Sequence, residues 1–425
     1  MNAGLLIIIL LLGLSFLGFP IYLALGIGAL AALNLADLPL IVLPQRMFAG
    51  MNSSALLAIP FFILAGNIMS RSITGKLIDI CNAIIGHIKG SLALVTILAS
   101  ALFGAISGSG VATASAIGGI TIPAMKREGY PAPFAVGVAS ISSILGPIIP
   151  PSIVLIVYAS ITNVSVAELF LGSVLPGIIL AVCLIAYGLY YGHKHNLPAH
   201  EKPNLKKIGT SVRKGIWALL MPIIILGGIF GGIFTPTEAA AVSAVYGLIV
   251  GVFIYRKMRF GEFIRCIVDS MAQNGQVLFV MICAALFAWM VAATGMTTTI
   301  GNALISLSSG NLIIFLLITN LILLFAGCIM DANSALYILV PILLPVAQEL
   351  GYDSVAFGIL MCVNLAIGLI TPPVGVNLYT ACSIAKISLR DIIKWVLPLI
   401  GFLLIVLLLV TYIPQISLFL PSLMS

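Results

Sequence analysis

The sequence is short of charge. Of its 425 residues, 19 are Lys or Arg and 12 are Asp or Glu, so charged side chains make up 7%, against about 25% in an ordinary soluble domain. Apolar residues reach 61%, where roughly 45–50% is usual. A soluble molecule of this size could not cover its surface with so few charges without exposing apolar patches that aggregate. The same scarcity excludes a disordered chain, a coiled coil and a nucleic-acid binder, because the formal net charge of +7 is spread thinly. Cysteine chemistry is missing too. Cys81, Cys183, Cys266, Cys283, Cys328, Cys362 and Cys382 form no C-x-x-C and no Cys/His ligand spacing, which leaves out zinc, redox motifs and a disulfide scaffold. They read as small buried hydrophobes. The histidines His87, His193, His195 and His200 fall in polar connections, and the H-x-H at 193–195 reads as a solvated cytoplasmic end. No G-x-x-x-x-G-K-[ST] occurs, so ATP does not drive the chain directly. What remains is an all-α integral membrane protein whose outer surface meets lipid.

The first apolar stretch, up to about Asn34, has no basic n-region and no convincing cleavage site. It reads as a retained membrane helix, bent near Gly18–Pro20, rather than a signal peptide. Basic residues mark cytoplasmic connections. They gather at Arg71–Lys89, at Lys126-Arg127, between Lys194 and Lys214, between Arg256 and Arg265, and at Lys386, Arg390 and Lys394. Between the clusters at 194–214 and 256–265 lies a helical hairpin whose outer turn is Thr235-Pro236-Thr237-Glu238. Pro and an acidic residue suit a first helical turn, which gives Glu238 a structural role.

One constant offset of 222 residues aligns two halves of the chain. It pairs Phe103 with Phe325, Pro123 with Pro345, Gly129-Tyr130 with Gly351-Tyr352, Gly146 with Gly368 and Pro150-Pro151 with Pro372-Pro373. Residues that set backbone geometry match at one spacing, which marks a duplication. In the first copy Lys126-Arg127 follow the Pro123 segment, while the second copy has no base there. After the Pro-Pro segment the bias reverses, with an uncharged 162–167 against Lys386, Arg390 and Lys394. The copies are therefore expected in opposite orientations, the arrangement of secondary transporters.

Two segments per copy cannot be simple spanning helices. In 103–125 and 317–350 the apolar pattern is interrupted midway, at Ser107–Gly110 and at Met330–Ser334, which predicts re-entrant hairpins with tips near the bilayer midplane. In 131–160 and 354–385 consecutive prolines break the helix, and Gly146, Pro147 and Gly368 let it unwind. Unwound backbone at membrane depth survives only where it is buried or lines a cavity. Carbonyls freed at each break, with oxygens from the facing tip, make two candidate Na⁺ sites. The first draws on Ser107, Ser109, Gly110, Gly146, Pro147 and Pro150, the second on Gly327, Asp331, Asn333, Gly368, Thr371 and Pro372. The alternative is that Gly and Ser there only permit close helix packing. Asp331 is the one carboxylate far from any polar connection; it either binds a cation, carries a proton or caps a half-helix. With no base at depth, an anionic solute would rest on hydroxyls, amides and helix N-termini. The candidates are Thr113, Ser115, Ser152, Asn364, Asn377 and Thr380, any of which could instead bond its own helix.

The segments complete a domain plan. Scaffold helices occupy 1–75 and 215–295, amphipathic arms 76–90 and 296–310, and transport repeats 91–192 and 311–385. A basic cytoplasmic connection fills 193–214 and a C-terminal helix 386–425.

In ISGSGVATASAIGGITIPAMKREGY, LGPIIPPSIVLIVYA, GGIFTPTEAAAVSAVYG and GLITPPVGVNLYTACSIA, the chain resembles the large membrane subunit of tripartite ATP-independent periplasmic (TRAP) transporters, and the resemblance covers nearly its whole length. It implies Na⁺-driven uptake of a carboxylate solute across the bacterial inner membrane by an elevator motion of the repeats against the scaffold. It also implies two partners, a small membrane subunit of about four helices and a periplasmic substrate-binding protein. A sialic acid is favoured slightly over a C4-dicarboxylate. A stand-alone divalent-anion/Na⁺ symporter would share the hairpin architecture. A channel would need a pore with charged rings, and an enzyme a nucleophile–base pair or metal motif at depth; neither is visible in the sequence.

Overall fold

The computed structural model describes residues 3–198 and 204–424, so His200 lies outside the described residues. Among the described residues there are helices and no strands, and nine helical segments are long and apolar enough to cross a membrane. Large apolar side chains stand on the surface, Phe48 at 77% and Phe260 at 80% exposure among them. That outer face suits hydrocarbon rather than water.

The chain opens with α1 (Ala3–Phe16) and α2 (Ile21–Leu35). These are not one bent helix as expected. Gly18 takes a left-handed φ of 84° and Phe19 N–H bonds back to the Leu14 carbonyl, so the chain reverses and α2 packs along α1, with Gly28 against Ile7. The chain continues with α3 (Val42–Met51) and α4 (Ala58–Ser72). The first arm is α5 (Thr74–Ile85), and the first hairpin is α6 (Ser91–Ser107) and α7 (Gly110–Arg127). Its arms run farther than the 103–125 expected, because residues 91–102 continue the helix without interruption. Next come the pieces of the first broken helix, α8 (Ala132–Ser142), α9 (Leu145–Ile148) and α10 (Ile153–Thr162), and the long α11 (Val166–Lys194).

The predicted hairpin between the basic clusters is α12 (Leu205–Phe230) and α13 (Pro236–Leu248), which runs on into one π-helical turn. Its start is a capping box: Thr235 N–H donates to Glu238 Oε2 at 2.8 Å and Glu238 N–H donates to Thr235 Oγ1 at 3.3 Å. These bonds hold the Glu238 carboxylate on the helix start, and its role is structural. There follow α14 (Phe260–Ala293), the second arm α15 (Met296–Leu307), the second hairpin α16 (Leu312–Ile329) and α17 (Ala332–Glu349), and the second broken helix α18 (Ser354–Gly368) and α19 (Val376–Ala385). The C-terminal part is not a single helix, since α20 (Leu389–Tyr412) is followed by the short α21 (Gln415–Leu418).

The offset of 222 survives folding. It relates the hairpin turns 107–110 and 329–332, the hairpin ends 127 and 349, and the starts of α8 and α18. Gly129 and Gly351 take φ of 82° and 81°, and both Pro-Pro bonds are cis. The copies interlock: α7 packs on α19 of the second copy, and α17 packs on α10 of the first. α8 and α18 are buried on every side from Phe134 to Ser142 and from Val355 to Gly368, as helices apolar all round must be.

Candidate functional site

Both hairpin tips face one cavity. It has a volume of about 730 Å³ and is walled by Ser107–Ala112 of the first tip, Asp331–Asn333 of the second, Pro147 and Leu369 from the breaks, and residues of α4 and α14. Among the described residues, Asp331 is the one charged residue in the wall, and no Lys or Arg contributes to it.

At the first tip, Gly108 turns the chain with a φ of 61° and Ser109 becomes the N-cap of α7, its hydroxyl accepting from Ala112 N–H at 3.4 Å. Thr113 Oγ1 donates to the Ser109 carbonyl at 2.8 Å and lies 3.3 Å from Ser107 Oγ. Gly146 closes on this group of oxygens, for a Cβ there would stand 2.6 Å from the Ser109 carbonyl oxygen and 2.7 Å from Thr113 Oγ1. Hydroxyl and carbonyl oxygens with no nitrogen ligand among them are the donor set for a hard cation. The expected Pro147 carbonyl accepts from Ser152 Oγ and from Cys362 Sγ, as the Ser109 carbonyl accepts from Thr113 N–H and Thr113 Oγ1. Pro150 is buried, and the next carbonyl, of Pro151, packs on Gly108.

The second tip repeats the backbone with other chemistry. Asp331 is the N-cap of α17, accepting from Ser334 N–H at 3.1 Å and from the Ser334 hydroxyl. Capping, one of its expected roles, is therefore present. Gly327 and Gly368 pack backbone to backbone, since a Cβ on Gly368 would sit 2.6 Å from Gly327 Cα. Asn333 lines the cavity and its Oδ1 is buried without a hydrogen-bond partner. Thr371 and Pro372 are half-buried, and the Thr371 hydroxyl donates to the Ile367 carbonyl at 2.8 Å.

Of the side chains expected to hold solute, Ser115 alone reaches the cavity wall. Thr113, Ser152, Asn364 and Asn377 are fully buried. Ser152 caps α10, Asn364 Nδ2 donates to Asn320 Oδ1 at 2.7 Å, and Asn377 Nδ2 donates to Ser143 Oγ at 2.7 Å. Thr380 donates to the Val376 carbonyl of its own helix. The Ser152 and Thr380 hydroxyls and both Asn amide N–H groups are taken up by neighbouring protein groups, while Asn364 Oδ1 and Asn377 Oδ1 are buried without a partner. The sequence reading missed the opposite wall, where Asn67, Ser70, Gln273 and Gln276 face the tips. Asn67 Nδ2 bridges α4 to α14, donating to Ser270 Oγ at 2.9 Å and to Gln273 Oε1 at 3.0 Å. Polar residues three apart at 67 and 70, and at 270, 273 and 276, in otherwise apolar helices were the available signal.

A second cavity, of about 520 Å³, lies farther along the same helices. It is lined by Ser160 of α10, Tyr337 and Pro341 of α17, Ala285 and Ala288 of α14, and by Ala49, Gly50 and residues 52–54. Tyr337 and Ser160 approach within 3.3 Å, hydroxyl to hydroxyl, at its wall.

Residues 7–416 match the family described as tripartite ATP-independent periplasmic transporter, DctM component. The chain is 41% identical over 396 residues to the C4-dicarboxylate TRAP transporter large permease protein DctM of Pseudomonas aeruginosa, covering 93% of this chain and 92% of that one. It is 41% identical over 405 residues to the isethionate TRAP transporter permease protein DctMQ of Oleidesulfovibrio alaskensis, covering 95% of this chain but only 64% of that longer protein. In fold it is similar to the Alcanivorax borkumensis YdaH transporter, with a TM-score of 0.64 at 16% identity over 99% of each chain.

Proposed function

The chain belongs to the DctM component family of TRAP transporters, a family of transporter permeases rather than enzymes, and from that premise we propose that it takes up a small organic anion by Na⁺ symport. The observation that carries this reading is the convergence of two hairpin tips and two helix breaks on one cavity whose wall holds no base. An anion there needs positive charge from elsewhere, and bound cations at the tips supply it together with the half-helix N-termini. At the first tip the donors are Ser107 Oγ, the Ser109 carbonyl and Thr113 Oγ1; at the second they centre on Asp331 and Asn333.

The two copies stand in opposite membrane orientations, with the basic ends of 126–127 and 386–394 both in the cytoplasm. Interlocked hairpins and broken helices form a body that slides on the scaffold built around α4 and α14, as an elevator. The second cavity then supports the outward half of the path, since α10, α14 and α17 each line both cavities in succession. A small membrane subunit and a periplasmic binding protein complete the system in the bacterial inner membrane. The solute is a sialic acid or a C4-dicarboxylate, with a small sulfonate as a third candidate from the relatives' names. A titration of these anions on the partner binding protein separates the three.

Reconstituted uptake is expected to need Na⁺, the binding protein and the small subunit together. Full uptake with K⁺ in place of Na⁺, at an intact membrane potential, would sink Na⁺ coupling. Full uptake by this chain alone would sink the tripartite assembly.

A further inference from the structure

Asn377 belongs to the second copy but makes its side-chain contacts in the first. It is fully buried, and its Nδ2 donates at 2.7 Å to Ser143 Oγ, between α8 and α9. Its carboxamide lies against the first residue of α7, where a Cβ on Gly110 would stand 2.7 Å from Nδ2 and 3.4 Å from Oδ1. The amide orientation is fixed by hydrogen count. Ser143 has one hydroxyl proton, which goes to the Ser140 carbonyl at 2.5 Å, so Ser143 Oγ must accept and Asn377 must donate. Asn377 Oδ1 is left buried with no partner. A buried acceptor without a donor is costly, and the cost is relieved when a cation or its bound water arrives.

Symmetry sharpens the point. The offset of 222 relates Asn377 to Leu155 and Ser143 to Leu365. All four residues are buried, yet one of the two equivalent places is polar and the other apolar. Packing alone asks for neither amide nor hydroxyl, as the leucines at the equivalent place demonstrate. Asn377 is also placed to pass a signal on. Its N–H holds the Leu369 carbonyl at 3.1 Å, and Leu369 and the adjacent Val376 both line the solute cavity.

We infer that Asn377 is a positioning residue that couples cation occupancy at the first hairpin tip to the cavity wall built by the second copy. This rests on the Na⁺ reading above and deepens it. With a cation at the first tip, Asn377 Oδ1 gains its missing partner and the start of α19 is held against α7. Without one, the unpaired oxygen favours a looser α19 and a differently shaped solute cavity. Cation and solute sites are then linked through one side chain, and the linkage is reciprocal.

The test is equilibrium ²²Na⁺ binding to the purified full-length chain with its small membrane subunit, for wild type, Asn377→Leu, Ser143→Ala and the double variant. Asn377→Leu installs the residue of the equivalent place and keeps similar bulk. It is expected to weaken Na⁺ binding about tenfold, the loss of one interaction of hydrogen-bond class. Ser143→Ala, which only frees the amide, should weaken it by about threefold, and the double variant should bind no worse than Asn377→Leu, because the two act as one unit. A second readout is maleimide labelling of Val376→Cys, which Na⁺ should change in the wild-type background and not with Asn377→Leu. Unchanged Na⁺ affinity in both single variants, or fully additive losses, would overturn the coupling role. If Asn377→Leu fails to fold, Ser143→Ala decides: an unchanged Na⁺ affinity overturns the proposal and a weakened one supports it. Absence of Na⁺ binding by the wild type overturns the Na⁺ reading as well, and so is distinguishable from failure of this proposal alone.

Discussion

Ser109 and Asp331 hold the same place in the two copies. Each follows a hairpin tip, each caps the second arm of its hairpin, and each accepts from the backbone N–H three residues on. One is a neutral hydroxyl and the other a carboxylate. The breaks opposite them differ in the same spirit. In the first copy the Pro147 carbonyl is tied by Ser152 and Cys362, and the break is closed. In the second copy the equivalent Leu369 carbonyl is held by the Asn377 backbone N–H, while Pro373 and Val374 are exposed. Duplication has kept what the backbone requires, a cap, a turn and a glycine contact. It has let the side-chain chemistry diverge, with a hydroxyl at one tip and a carboxylate at the other, which gives the two caps different charge.

The comparison breaks first at its glycines. Gly146→Ala and Gly368→Ala each drive a methyl into a backbone atom 2.6 Å away, and uptake in proteoliposomes should fall below detection in both. Gly119→Ala, where nothing beyond its own helical turn lies within 4 Å, should leave it unchanged. If Gly146→Ala transports normally, the first tip is not a binding site.

Next is the charge itself. Asp331→Ser gives the second tip the first tip's cap, so thermal stability should stay within about 1 kcal/mol of wild type, whereas Asp331→Ala, which removes the cap, costs about 1–2 kcal/mol. Na⁺-driven uptake should drop at least about tenfold in both, the scale of losing one charge-assisted contact. An Asp331→Ser protein with wild-type Na⁺ dependence would leave Asp331 only its capping role.

A smaller effect is expected at the closed break. Ser152→Val imports the counterpart residue Val374, and it should destabilise by about 1–3 kcal/mol because it leaves a cap unmade and a buried carbonyl short of a donor. The Na⁺ dependence of the remaining folded protein should be unaltered; a large shift would return Ser152 to the site.

The smallest effect lies away from both copies. Thr235→Ala should lower the unfolding temperature slightly and leave uptake alone. The substitution unmakes one of the two bonds of the capping box. Paired melting curves and uptake assays of wild type and Thr235→Ala check this, and a large loss of uptake would give this turn more than a structural role.

Much of this was legible in the sequence, and unevenly so. The tips at 107–110 and 330–334 and the Pro-Pro breaks were visible because Gly and Pro act on the backbone where they stand. The sequence does not distinguish a reversal at Gly18 from a bend, because one left-handed residue can serve either and only the packing of α2 on α1 decides. The solute residues were the poorest part. Ser152 and Thr380 bond within their own chain segment, which residue type cannot reveal. Asn364 and Asn377 point into helix contacts set by partners 44 and 234 residues away. The facing wall of Asn67 and Gln273 joins residues 206 apart in sequence.

The sequence by itself determined that the chain lives in a membrane, that it contains one unit twice, and where each copy must break. Charge scarcity, basic clusters and helix-breaking residues act locally or through composition, so no fold is needed to read them. Only the tertiary structure decided which polar groups share a cavity, which satisfy one another, and that Asn377 crosses from one copy to the other. The direction a buried side chain faces is fixed by the helix packed against it, and that neighbour is chosen by the whole core.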